Sequence, residues 1–104
     1  MKEKRVYPRY EMELPATLRS QGKLIPAATL NVSKGGICLL ADFNAEIIEG
    51  PCEVVVDLSE KFRDVALSGQ ILRFHKAIGQ RVAVQFNKSE SKGFKSLEKF
   101  LKTF

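Results

Sequence analysis

The 104-residue chain has no tryptophan, one histidine and two cysteines. Cys38 and Cys52 stand apart in apolar stretches, which excludes the CxxC spacing of zinc ribbons and dithiol oxidoreductases. They read as small buried hydrophobes of a reducing compartment, neither bridged nor metal-ligating. His75 has no carboxylate, serine or cysteine beside it in a recognisable motif, so neither a general-base pair nor a metal set is spelled out. Cys38 follows Gly36 and Ile37 without the base and anion hole that a thiolate nucleophile requires. The expectation is a binding protein, not an enzyme, with no metal and no cofactor.

Long hydrophobic runs are missing too. A stretch such as Ile37 to Ala41 falls far short of the roughly 20 residues of a membrane span, and no signal-peptide pattern opens the chain. A soluble, cytoplasmic protein is expected. Internal repeats and low-complexity blocks are also lacking, and the length suits one domain, residues 1–104.

What is present is positive charge at the ends. The formal net charge is +5, with about +3 in residues 1–10, about +3 in residues 88–104 and a slightly acidic middle. Such a balance calls for an anionic partner or a solvated face, and charge alone does not choose.

Between residues 14 and 87 the chain is a succession of short β-rich runs broken by Gly, Pro, Asn and Asp, the pattern of an antiparallel sandwich or barrel. About six strands are expected. The first, near Leu14 to Arg19, places Leu14, Ala16 and Leu18 on one face, and Pro15 marks an edge or a strand start. Leu24 to Val32, Ile37 to Ala41, Glu53 to Leu58 and Val65 to Phe74 follow, with Gly69 a candidate bulge or bend. Arg81 to Phe86 closes the series, with Val82, Val84 and Phe86 on one face. From Ser89 the period changes: Phe94, Leu97, Phe100, Leu101 and Phe104 recur at three- and four-residue steps, an amphipathic helix over 89–104. Ser89 or Ser91 can cap it, while Gly93 weakens its first turn.

Two clusters can carry recognition. Arg5 and Arg9 lie four apart in a segment whose Pro8 disfavours a helix, so they project from an irregular arm. Arginine's planar fork pairs with a phosphate or a guanine edge and its flat face stacks on a purine. Taken alone, the arm reads equally as a solvated basic terminus. In Asn31-Val32-Ser33-Lys34-Gly35-Gly36, the amide can bond a base edge, the hydroxyl a phosphate, and Gly35 or Gly36 permits positive φ and close approach. Taken alone, this is an ordinary turn whose Asn and Ser bond their own backbone.

In order, Arg5-xxx-Arg9 and Asn31-x-Ser33-xx-Gly36 resemble the paired motifs, RxxxR and [D/N]xSxxG, of the PilZ domain of bacterial cyclic di-GMP receptors. Leu67 to Arg73 and Val82 to Phe86 are similar to later parts of the same family. The resemblance implies an all-β fold, a six-stranded antiparallel barrel over 13–87 with a C-terminal amphipathic α-helix over 89–104. It further implies a flexible ligand-binding arm over 1–12, whose Arg5 and Arg9 contact guanine and phosphate above a surface shaped by Asn31, Ser33 and Gly36. Lys4, Gly35 and Arg73 are secondary candidates, although Arg73 and Arg81 also suit a solvated strand face. The implied ligand is cyclic di-GMP, one or two per chain, and the implied output is contact with a downstream protein partner. Two other readings remain: a ligand-independent PilZ-like adaptor, and a basic barrel for single-stranded nucleic acid. The latter needs exposed aromatic platforms, whereas the phenylalanines fall mainly on core faces.

Overall fold

The computed structural model describes residues 8–42, 44–77, 79–87 and 91–103. Seven strands occur in chain order: β1 (Tyr10–Glu11), β2 (Pro15–Ser20), β3 (Lys23–Val32), β4 (Gly36–Ala41), β5 (Gly50–Val56), β6 (Val65–Ala77) and β7 (Gly79–Phe86). They are followed by helix α1 (Lys92–Leu101). The hydrogen-bonded order is β1-β3-β2-β5-β6-β7-β4, and β4 pairs back onto β3, so β2 to β7 close an antiparallel six-stranded barrel. The expected barrel and C-terminal helix are both there. β1 is an addition: Tyr10 and Glu11, in the segment read as arm, pair with Val32 and Asn31 on the rim of β3.

Local chemistry explains most boundaries. β2 and β3 are joined through Gln21 and Gly22, both at positive φ (53° and 74°), the two-residue hairpin turn whose twist matches its strands. Pro15 opens β2, where its missing amide leaves no gap in a central ladder. β5 begins at Gly50, earlier than the Glu53 expected, because Gly50 and Pro51 pair with Ile71 and Gln70 instead of forming a loop. β6 and β7 extend past Phe74 and start before Arg81, respectively, as one long hairpin.

Alternation delivers the core. Ala16, Leu18, Val54, Val56, Leu67, Ile71, Val82, Val84 and Phe86 point inward and are buried. Burying each large aliphatic side chain contributes about 1.5 to 3 kcal/mol. Thr29 is one polar exception, at 0% exposed. Its hydroxyl donates to the Met12 carbonyl and accepts from the Leu14 amide at 2.8 Å, pinning the chain that enters β2. Buried Gln80 donates its amide to the Asp42 and Ala45 carbonyls, at 3.2 and 2.8 Å, and so holds the loop after β4 on the barrel end.

Two ladders carry a register shift of one residue: β3 against β4 between Thr29 and Asn31, and β6 against β7 between Ile71 and Arg73. The extra residues are Leu30 and Leu72. The bend anticipated at Gly69 is therefore at Leu72, while Gly69 stays in regular register opposite Phe86.

Helix α1 starts at Ser91, whose hydroxyl accepts from the Phe94 amide at 3.2 Å. Leu97 and Phe100 are buried and Phe94 and Leu101 partly so, which seats the helix on β6 beside Phe62. Gly93 is the contact point: a methyl group there would overlap the Ala66 carbonyl oxygen. An alanine normally strengthens a helix interior by roughly 0.5 to 1 kcal/mol over glycine. Here the sign reverses. Gly93→Ala is expected to destabilise by about 1 to 3 kcal/mol and to lower the melting temperature by roughly 5 to 15 °C. Thermal unfolding by circular dichroism checks this, and a higher melting temperature would mean that α1 does not sit on Ala66.

Candidate functional site

The two bulges have a shared consequence on the outer surface. Thr29 pairs with Leu39 and both are buried, so without an extra residue Asn31, two positions on, would face inward as well. Leu30 breaks the alternation, and Asn31 emerges on the outer face paired with Cys38. Likewise Ile71 is buried opposite Val84, and the bulge at Leu72 turns Arg73 outward opposite Ala83. Cys38 in turn pairs with Ala83. Asn31, Cys38, Ala83 and Arg73 thus form one cross-strand row over β3, β4, β7 and β6. It has polar ends and a floor of two small side chains. Three strand spacings of about 4.8 Å separate its ends by roughly 14 Å.

At one end of the row the motif loop closes on itself. The Ser33 hydroxyl accepts from the amides of Gly35 (3.2 Å) and Gly36 (3.1 Å) and lies 3.2 Å from the Gly36 carbonyl, to which it donates. The Ser33 amide donates to that same carbonyl at 2.9 Å. The hydroxyl proton read as free for a phosphate is thus held by the serine's own turn, and Ser33 acts on the surface by shaping it. Gly35 and Gly36 are not at positive φ, contrary to the expectation, since the only positive-φ glycines described are Gly22, Gly50 and Gly79. Gly36 is required for a different reason: a Cβ there would stand 2.5 Å from the Val84 carbonyl oxygen, so only glycine lets β4 lie against β7 at this point.

Above the row is an open cavity of about 290 Å³, lined by Arg9, Asn31, Ser33, Gly35, Gly36, Cys38, Leu72, Arg73 and Ala83 among others. The site residues expected from sequence that are described, Arg9, Asn31, Ser33, Gly36, Gly35 and Arg73, all meet here. Arg5 and Lys4 lie outside the described residues. Leu72, Cys38 and Ala83 were not singled out as lining residues; only the strand register, with its bulges, brings them in.

The cavity is electropositive. Burial pushes the Cys38 thiol above its ordinary value of 9.0, and the guanidiniums of Arg81, Arg9 and Arg73 pull in the opposite direction. Cys52, in β5 beside the β2–β3 hairpin, is pushed up to about 11 by burial alone. Both cysteines are free and half-buried, less buried than the sequence suggested. His75 is exposed at the strand end, and Phe74 beside it is 38% exposed, an exception to the core placement of the phenylalanines.

A second cavity, about 220 Å³, lies behind the first and is lined by Pro8, Tyr10, Lys34, Glu98, Leu101 and Lys102. The two cavities share walls: Arg9, Ser33 and Gly35 line one, while their chain neighbours Pro8, Tyr10 and Lys34 line the other. Lys34 Nζ is 3.0 Å from Glu98 Oε2, which ties the motif loop to α1.

Fold and cavity together define a class, a small antiparallel barrel with a basic cavity on its outer surface. The PilZ domain model matches residues 3–102, and the chain belongs to that family. Sequence comparison finds no match to a curated protein. Among solved structures, the PilZ domain of YcgR from Escherichia coli with c-di-GMP is similar at a TM-score of 0.79 and 14% identity, over 97% of this chain and 91% of that one. The inhibitor of motility MotI/DgrA of Bacillus subtilis gives 0.77 and 15%, over 98% of this chain but 52% of that chain, so the present chain spans about half its length. The PilZ domain of CeSA from a cellulose-synthesizing bacterium gives 0.64 and 16%, over 92% and 97%. At these identities the likeness shows the fold.

The raised thiol values predict slow alkylation at neutral pH, since the thiolate is the nucleophile. Iodoacetamide is expected to modify Cys38, where three guanidiniums oppose the effect of burial, before Cys52, where burial acts alone, with rates still climbing above pH 9 because both groups titrate above their ordinary value of 9.0. The sign for stability follows: both thiols favour the protonated folded state, so folding weakens as pH rises past 9. Mass spectrometry of the alkylated chain checks the order, and modification of Cys52 first would mean that the guanidiniums do not ease ionisation of Cys38.

Proposed function

We propose that this chain is a cyclic di-GMP receptor domain that binds the dinucleotide over the Asn31–Cys38–Ala83–Arg73 row. The observation that carries the reading is the convergence of Arg9 with Asn31, Ser33, Gly35, Gly36 and Arg73 on one cavity, from three strands, the segments beside them and two sequence-distant motifs. Family membership and the c-di-GMP complexes of YcgR support it. Arg9 and Arg73 offer planar forks for phosphate or a guanine edge, Asn31 offers an amide, and the small Cys38 and Ala83 let a purine lie close to the sheet. At about 290 Å³ the cavity sits at the lower bound of ligand pockets and does not enclose a dinucleotide. A covering element is needed, and Arg5 and Lys4 of the N-terminal arm supply it, ordering over the ligand and presenting a changed surface to a downstream protein. Binding, not turnover, is the activity.

Calorimetric titration with cyclic di-GMP, with GTP and cyclic di-AMP as controls, tests this directly. Arg5→Ala and Arg9→Ala each remove a bidentate contact of about 1 to 3 kcal/mol, so affinity is expected to fall roughly tenfold to over a hundredfold. Unchanged affinity in both variants would overturn the arginine assignment, and no binding by a folded wild-type chain would leave the adaptor reading. A footprint locates the ligand independently: cyclic di-GMP is expected to slow alkylation of Cys38 and leave Cys52 unaffected.

A further inference from the structure

The solvent face of α1 carries Lys92, Lys95, Lys99 and Lys102, all exposed. At 3.6 residues per turn they fall within an arc of roughly 80° and along about 15 Å of helix axis. The opposite arc, with Phe94, Leu97, Phe100 and Leu101, is occupied by the barrel. No acid stands in the first turn, where the helix dipole favours one. The single acid of the helix, Glu98, is paired with Lys34. Lys92 with Lys95, Lys95 with Lys99, and Lys99 with Lys102 are neighbours at three- and four-residue steps, and each such like-charge pair weakens a helix. Core packing accounts for the apolar arc but not for this one, because mixed charges would solvate it equally well and stabilise it better.

We infer that the lysine face of α1 docks an acidic segment of a partner protein. Such a partner relieves the repulsion that the free domain carries. The shape of the charge selects a narrow acidic ridge over an anionic membrane. The apolar residues of the helix are committed to the barrel and have nothing to insert into lipid. Glu98 borders the stripe on one side, so a broad anionic plane meets a carboxylate at that margin. No ligand in the Asn31–Gly36 cavity is required, so the inference stands apart from the reading of that site.

The test uses the unliganded chain and a fluorescein-labelled oligoglutamate peptide, followed by fluorescence anisotropy at several salt concentrations. The key variant is Lys92→Glu/Lys99→Glu, which makes every neighbouring pair along the stripe opposite in sign. The control is Arg19→Glu/Lys23→Glu, the same change in net charge at the β2–β3 hairpin. Wild type and control are expected to bind the peptide in a salt-sensitive manner, and the helix variant to bind about tenfold more weakly or not at all. Thermal unfolding separates binding from folding, since the helix variant is expected to melt no lower than wild type at low salt. Equal loss in both variants would reduce the effect to net charge and overturn the docking face. So would no binding by wild type at low salt, or tighter binding to vesicles of phosphatidylglycerol and phosphatidylcholine than to the peptide.

Discussion

The outer surface of this barrel depends on two single-residue insertions, Leu30 in β3 and Leu72 in β6. Side chains on a strand alternate with a period of two, so one extra residue exchanges inside for outside along the rest of the strand. Thr29 is locked inward by its bonds to Met12 and Leu14, and Ile71 is locked inward by burial. With those two positions fixed, regular strands would bury Asn31 and Arg73, an amide and a guanidinium, without partners. Burying such groups is strongly unfavourable. The bulges avoid that and place both residues at opposite ends of one row.

Between those ends the side chains are small and the backbones close. Gly36 lets β4 approach Val84, and the row's centre is Cys38 and Ala83, so the floor is nearly flat. Ser33 spends its hydroxyl on the amides of Gly35 and Gly36, which fixes the loop before any ligand is considered. Rigid floor and preset loop reduce what must be ordered on binding. Arg9, Arg73 and Arg81 then set the sign of the potential, felt at Cys38 as a pull against its burial.

The parts legible in the sequence are those governed by periodicity. Val82, Val84 and Phe86 in β7, Ala16 and Leu18 in β2, and the Leu97 and Phe100 stripe of α1 all follow alternation or helical spacing. The motif residues themselves were also legible, because Asn, Ser, Gly and Arg are distinctive in a β-rich chain. The bulges were not: Leu30 and Leu72 are apolar residues within apolar runs, and Gly69 was the more obvious irregularity. Thr29-Leu30-Asn31 and Ile71-Leu72-Arg73 carry one signal, a polar residue two places after one bound for the core. Arg73 accordingly suits a solvated face as well as the site, since its direction towards the row comes from register alone. The pairing of Tyr10 and Glu11 with β3 had no sequence signal, as two residues establish no period.

In the two segments that border the cavity, Arg9, Ser33 and Gly35 line it while their chain neighbours Pro8, Tyr10 and Lys34 line the second cavity. The backbone of these few residues is therefore the common wall of two cavities, one over the cross-strand row and one against the end of α1. A wall only one residue thick cannot shift for one cavity without changing the other. Lys34 makes that join electrostatic as well as steric, because its ion pair with Glu98 spans from the motif loop to the helix. The pairing also leaves the lysines of α1 without a carboxylate of their own helix to face. One residue inside the motif loop thus shapes both the rear of the candidate site and the charge of the helix's outer face.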